Sequence, residues 1–389
     1  MGLGAVRGQE QATGLLKRSV AEGRIAHSYL FHGPDGVGKE LAAKNFAKLL
    51  NCRSPKKGDA CDFCGECLLA EKNGHQDVLW FRPSGKTRII YIGNPDNLKS
   101  GTVRDFQRRV ALKPFQGKWK VGIFVDADCM EDAAQNALLK TLEEPPAHTV
   151  IILVSSRPES LLPTILSSCR AVRFGPMREE ELGALLRAEY GLNHDDAKAL
   201  SRLTEGRMGE AVRAIRDERI DEARRLSQRL SSGEPGYWRA VAGPLGIFED
   251  SLRRAREALE ADLVARGLMD PPGATGERRA TGDEEDDERE KQAVAFIEGE
   301  MRRRHEEMLR QLLAWYRDLM VWNLSGSEEL LVGAAPVDDI SRAARGISPA
   351  EIGERVKLIE AALEALWMNA DFHTVTENLL VQLTAREQI

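Results

Sequence analysis

The chain has 389 residues, 42% of them hydrophobic and 30% charged, with a formal net charge of −6. That length exceeds one ordinary core and calls for two or three domains of a soluble globular protein. The acidic balance argues against a chain that coats nucleic acid over its whole surface, and no run approaches the roughly 18 apolar residues of a membrane span.

Met1 to Gln11 carry no apolar signal-peptide core, so a cytoplasmic location is expected. In that compartment six cysteines serve as metal ligands or reduced thiols rather than disulfides. Residues 1–175 alternate short apolar runs with amphipathic stretches, which predicts an α/β domain with a parallel sheet. The first strand is expected at Tyr29–Phe31. Directly after it stand Gly33, Pro34, Asp35, Gly36, Val37, Gly38, Lys39 and Glu40, followed by a helix over Glu40–Leu50. Strand, glycine-rich loop and helix are the setting of a phosphate-binding loop, in which Gly33, Gly36 and Gly38 bend the backbone around phosphates and Lys39 reaches them. The loop departs from its pattern at one place. Glu40 takes the position of the Ser or Thr whose hydroxyl binds Mg²⁺, and its charge repels phosphates. Lys39 and the loop amides favour retained ATP binding, and Glu40 opposes it.

Cys52, Cys61, Cys64 and Cys67 follow in the spacing C-x8-C-x2-C-x2-C. Four thiolates this close can complete a tetrahedral Zn²⁺ site, closed and therefore structural. The alternative is four reduced thiols; His75 lies nearby without being required, and Cys129 and Cys169 read as buried thiols. Further strands are expected at Val78–Phe81, Val121–Val125, Val150–Val154 and Ala171–Phe174, with helices at Val103–Leu112 and Ala133–Leu142. Asp126 ends an apolar strand and supplies a Walker B acid for Mg²⁺. Arg108, Arg109, Lys113, Lys118 and Lys120 face either DNA phosphates or solvent.

Beyond residue 175 the strands stop. Short helices at Arg178–Tyr190, Asp195–Leu203 and Gly209–Arg216 predict a small helical domain over 176–217. An all-helical domain over 218–389 follows, with apolar faces through Leu309, Leu312, Leu313, Tyr316, Leu319 and Met320, and through Ile352, Val356, Ile359, Leu363 and Leu366. Residues 271–292, rich in Pro and Gly and then in acids from Asp283 to Glu288, are expected as a mobile insertion, or else as the acidic start of the next helix.

These motifs resemble the bacterial clamp-loader family of AAA+ proteins, and within it the delta-prime type. The resemblance rests on Val6–Glu10, on Ala26–Leu30 before the phosphate loop, on the four-cysteine module at 51–68, on Ala137–Pro146 and on Leu161–Cys169. Trp315–Asp318 and Asn369–Leu383 extend it more weakly, so that it spans nearly the whole chain outside the acidic segment. It implies an AAA+ domain, a helical lid and a helical collar. It also implies membership of a five-subunit ring that uses ATP to open a sliding clamp and place it on primed DNA. Partners would be tau/gamma-like ATPase subunits and a delta-like subunit, with the clamp and DNA reached through the complex.

In that family a Glu follows the Walker B Asp and polarises water; here the position is Ala127. The family's Ser-Arg-Cys, whose Arg reaches a neighbour's ATP, is Ser167-Ser168-Cys169 here. Arg170 is a candidate replacement if the segment is extended, which would place it on one face with Ser168; the alternative is an ordinary surface arginine. The lid arginine of Gly-x-Met-Arg is replaced by Gly209. The resemblance with these departures implies a delta-prime-like, largely ATPase-inactive stator with no chemistry of its own. An ATP-hydrolysing tau/gamma-like motor subunit is the alternative. An unrelated phosphotransferase would need acceptor-binding residues and a set of catalytic arginines, which the sequence lacks.

Overall fold

A computed structural model describes all residues except 1, 85–87, 95–100, 217–236, 266, 270–283, 333–334, 368–369 and 386–389. The chain divides into two compact units. The first comprises residues 1–177, 207–210 and 280–295, and the second residues 178–206, 211–279 and 296–389.

The first unit is built on five parallel strands, β1 (Ser28–His32), β2 (Val78–Phe81), β3 (Lys120–Phe124), β4 (Thr149–Ser155) and β5 (Arg170–Arg173), in the order β2-β3-β4-β1-β5. Each lies within two residues of its expected span. Alternate residues of the strands serve opposite faces, as the pleat requires. Tyr29, Phe31, Ile123 and Ile152 join one core with Phe46 of helix α2 (Lys39–Asn51) and Phe174. Leu30, Phe124, Ile151 and Leu153 join the other with Phe81, with Phe106 of α4 (Val103–Val110) and with Leu138 of α5 (Asp132–Glu143). The remaining helices of this part are α1 (Glu10–Ala21), α3 (Gly65–Glu71) and α6 (Pro163–Ser168). Thr102 caps α4 by accepting the Asp105 N–H at 3.3 Å, which fixes where the helix starts. This parallel sheet with helices on both faces is an α/β fold in which the phosphate loop links β1 to α2.

One of the basic residues does not behave as the sequence suggested. Lys120 is buried, and its Nζ donates to the carbonyls of Arg109 at 3.0 Å and Lys113 at 3.2 Å. It is a strut of the loop before β3, not a contact for phosphates. Arg108 agrees with the solvent-facing alternative: its side chain is exposed and lies 3.1 Å from the Asp105 carboxylate of its own helix.

The regular structure of the second unit is all helical among its described residues. Its helices include α7 (Glu179–Tyr190), α8 (His194–Leu203), α10 (Tyr237–Ala265), α12 (Val337–Ala344), α13 (Pro349–Trp367) and α14 (Phe372–Ala385). Helices α9 (Met208–Arg216) and α11 (Glu284–Ser325) are shared between the units. Both apolar faces read from the sequence enter one core, where Leu309, Leu312, Tyr316 and Leu319 meet Ile352, Ile359, Leu363 and Leu366. Residues 284–292 of the expected insertion are helical, so the reading of the acids as a helix start holds there, and 271–283 lie outside the described residues. No helix of the described residues is long and apolar enough to cross a membrane.

His305 on α11 stacks on Phe372, ring centroids 3.4 Å apart. Burial, with Arg256 nearby, lowers its pKa to about 3, against a small opposing effect of Asp371. The folded ring therefore stays neutral while the unfolded one takes up a proton below about pH 6.5. Stability from this site is complete above that pH and declines as pH falls toward 3. The second unit is expected to lose about 2 kcal/mol between pH 7 and pH 5 through this group. Urea melts of wild type and His305→Gln at the two pH values measure it; an unchanged pH response in the variant would refute the assignment.

Candidate functional site

Gly33, Gly36 and Gly38 all hold positive φ, at 142°, 80° and 96°, so the phosphate loop has the bend its glycines were expected to supply. Helix α2 starts at Lys39, and no side chain caps its N-terminal N–H groups. The donors that would surround a phosphate are therefore in place. The lysine is differently engaged. Lys39 is buried, and its Nζ donates to Gly33 O at 2.6 Å and Pro34 O at 2.7 Å and lies 3.3 Å from Asp35 Oδ1. Its three donors are spent on the loop itself.

The acids around the loop have cations of their own. Glu40 pairs with Arg82, which directly follows β2 and lies over the Trp80 ring. Asp126, at φ 50°, pairs with Arg88 at 2.6 Å. Although its side chain is 36% exposed, the surrounding protein desolvates the Asp126 carboxyl and pushes its pKa up. Arg88 opposes that rise, while Asp35, Asp128 and Glu40 add to it. The acids around the loop are thus each matched by a cation: Asp35 by Lys39, Glu40 by Arg82, Asp126 by Arg88 and Asp128 by Arg157. Next to Asp126, Ala127 is fully buried and offers no proton acceptor. Asp128 does not replace it. Its Oδ1 accepts from Ser155 Oγ at 2.8 Å, and its Oδ2 accepts from Arg157 Nη2 at 3.1 Å, which ties it to the end of β4.

The lid position has a steric cause. The Gly209 N–H donates to Gly36 O at 2.7 Å, and a Cβ on Gly209 would lie 2.8 Å from that oxygen. A side chain there requires the loop or the helix to move. Gly209→Arg is expected to cost about 1–3 kcal/mol, as overpacking does, and a thermal melt showing no loss would contradict this close approach.

The four expected cysteines converge. Their Sγ atoms all lie within 4.8 Å of one another, and Cys61 and Cys67 are 3.9 Å apart. A tetrahedron with metal–sulfur bonds of about 2.3 Å has edges of about 3.8 Å. Cys52 closes α2, Cys64 caps α3 and Cys67 lies one turn into it. The Cys61 and Cys64 N–H groups donate to Cys52 Sγ at 3.3 Å and Cys61 Sγ at 3.4 Å, as suits charged sulfur. The donor set fits a metal ion. Cys129 and Cys169 stand apart; burial pushes their thiols up to about 11 and about 12, which leaves them protonated.

A family model described as "DNA polymerase III, delta subunit" matches residues 8–178. The DNA polymerase III subunit delta' of Pseudomonas aeruginosa is 33% identical over 262 residues, 63% of this chain and 76% of that protein. The chain belongs to the DNA polymerase III clamp-loader family. Subunit delta' of Bacillus subtilis is 30% identical over 216 residues, 56% of this chain and 62% of that one. Subunit tau of Escherichia coli is 30% identical over 267 residues, covering 67% of this chain, and the chain spans only 38% of that relative's length.

Family membership leaves the arginine at the end of the Leu161–Cys169 stretch to be placed. Arg170 begins β5, an exposed position on the edge strand of the sheet. Ser168 is the last residue of α6, with its Oγ donating to Thr164 O at 2.7 Å. The two therefore do not share an extended face, and that ground for choosing Arg170 falls. Arg82 and Arg88 escaped the sequence analysis. Arg82 had one signal, a cation following the strand next to the Walker B strand; Arg88 had none, because its partner Asp126 is 38 positions away in sequence.

Proposed function

We propose that this chain is a delta-prime-like subunit of a DNA polymerase III clamp loader, a largely ATPase-inactive stator. The observation that carries the reading is the self-contained phosphate loop, with Lys39 bound to its own loop carbonyls, Glu40 to Arg82 and Asp126 to Arg88. A nucleotide would have to displace Lys39 from its loop carbonyls and bring its phosphates close to Asp35, Glu40 and Asp126, and Ala127 would offer no base to water. Gly33, Gly36, Gly38 and Lys39 are then a remnant nucleotide site, and Asp126 a remnant of Walker B. Cys52, Cys61, Cys64 and Cys67 hold one structural Zn²⁺, for which soft thiolates and a closed tetrahedron are the matching donors. Exposure on an edge strand makes Arg170 available to a neighbour's nucleotide. Partners are tau/gamma-like ATPase subunits and a delta-like subunit, with the sliding clamp and primed DNA engaged through the assembly in the cytoplasm.

The competing reading, an ATP-hydrolysing tau/gamma-like motor, draws on the tau relatives. ATP binding and turnover by the purified chain separate the two. The stator reading expects no turnover above background, the same for wild type and Lys39→Ala. Turnover by wild type that Lys39→Ala abolishes would overturn it.

A further inference from the structure

A line of buried polar residues runs from the cysteine module to the loop between α4 and β3. Glu66, beside Cys67 on α3, is 2% exposed and is paired through Oε1 with Arg53. Its Oε2 faces His75 Nε2 at 2.9 Å, a close contact without hydrogen-bond alignment. His75 Nδ1 accepts the Asp77 N–H at 3.0 Å, which places the proton of a neutral ring on Nε2, toward Glu66. The Asp77 carboxylate, fully buried, accepts the N–H groups of Phe115 at 2.7 Å, Gln116 at 2.9 Å and Gly117 at 2.8 Å. A second tether starts at the residue before Cys52. Asn51 accepts the Trp119 N–H at 2.8 Å through Oδ1. The two tethers meet at Gly117, where a Cβ would lie 2.5 Å from Asn51 Oδ1 and 3.2 Å from His75 Cε1.

Besides these tethers the loop is held by the Lys120 ammonium on the Lys113 carbonyl and, at its end, by the Trp119 ring against His148. Leu112 and Phe115 are 66% and 76% exposed, so their burial contributes little to its conformation. We infer that the cysteine module positions residues 111–119 through Glu66, His75, Asp77 and Asn51, so that metal binding sets the conformation of this exposed loop. The inference rests on the Zn²⁺ reading proposed above. Metal holds Cys52 and Cys67 in place, Cys67 fixes the first turn of α3 and hence Glu66, and Cys52 fixes the end of α2 and hence Asn51. Glu66, His75 and Asn51 act here as positioning residues.

The test is hydrogen exchange on the full chain, with zinc content determined on the same samples. In zinc-loaded wild type, amides 115–119 are expected to be protected, and chelation should speed their exchange at least tenfold while amides of α13 stay unchanged. His75→Ala should speed exchange at 115–117 at one zinc per chain, and Glu66→Gln should do so more weakly. Zinc-loaded and zinc-free protein with equal exchange at 115–119, or His75→Ala with full protection, would overturn the coupling alone. Wild type that binds no zinc would overturn the metal reading and the coupling together.

Discussion

Cys67→Ser is expected to lose bound zinc and to open the segment from Arg53 to Lys72 to protease, while the sheet of the first unit remains. The apolar contribution of this segment to the core is small, consisting of Ala60, Cys61, Cys67 and Ala70 besides Cys52. Small side chains bury little area, at roughly 25 cal/mol per Å². Ion pairs supply part of the remainder. Lys48, nearly fully buried, lies 2.8 Å from Asp62 and 2.6 Å from Glu71. Asp59 is 2.8 Å from Lys17 and accepts the Leu3 and Gly4 N–H groups at 2.9 and 3.0 Å. Such contacts tie Asp59, Asp62 and Glu71 to α1 and α2 and leave the four thiols to the metal. Structural zinc in small modules supplies on the order of 10 kcal/mol, and a serine hydroxyl is a poor substitute for a thiolate. Zinc stoichiometry and limited proteolysis read the result, with Cys129→Ser as the control that keeps both unchanged. Retention of one zinc per chain by Cys67→Ser would exclude a four-sulfur site.

The sheet was legible because buried parallel strands are short apolar runs, and punctuation by the phosphate loop fixed where α2 begins. The cysteine site was legible for a similar reason, since its ligands are close in sequence and their spacing carries the geometry. What escaped lies in contacts between distant segments. Arg82 and Arg88 reach Glu40 and Asp126 across 42 and 38 positions of sequence. Lys120 read as one member of a basic cluster, yet it begins β3 and its ammonium is spent on two carbonyls. Ser168 and Arg170 read as one extended segment, although a helix ends between them. In each case composition gave the charge and only the fold gave its partner.

That dependence on partners is sharpest at Asp77, and Asp77→Ala is expected to destabilise the first unit by about 3–5 kcal/mol. Burial alone would push this carboxyl up. The three N–H donors of residues 115–117, with Lys120 at 3.9 Å, outweigh burial and hold its pKa below the usual aspartate value. Deleting the carboxylate leaves three backbone donors without their acceptor. It also removes the counter-charge of Lys120, whose pKa burial already lowers. Because the folded pKa lies below that of the unfolded chain, the contribution is complete above about pH 4 and is lost as pH falls through the lower folded value. Asp77→Asn preserves the shape without the charge, so it should lose part of the stability at pH 7 and show a shallower decline in acid than wild type. Hydrogen exchange of the β2 and β3 amides measures the first effect, and thermal melts at pH 7 and about pH 3, below the unfolded aspartate pKa, measure the second. A loss below about 1 kcal/mol for Asp77→Ala would mean that these N–H groups find water instead, and that the loop does not depend on the buried carboxylate.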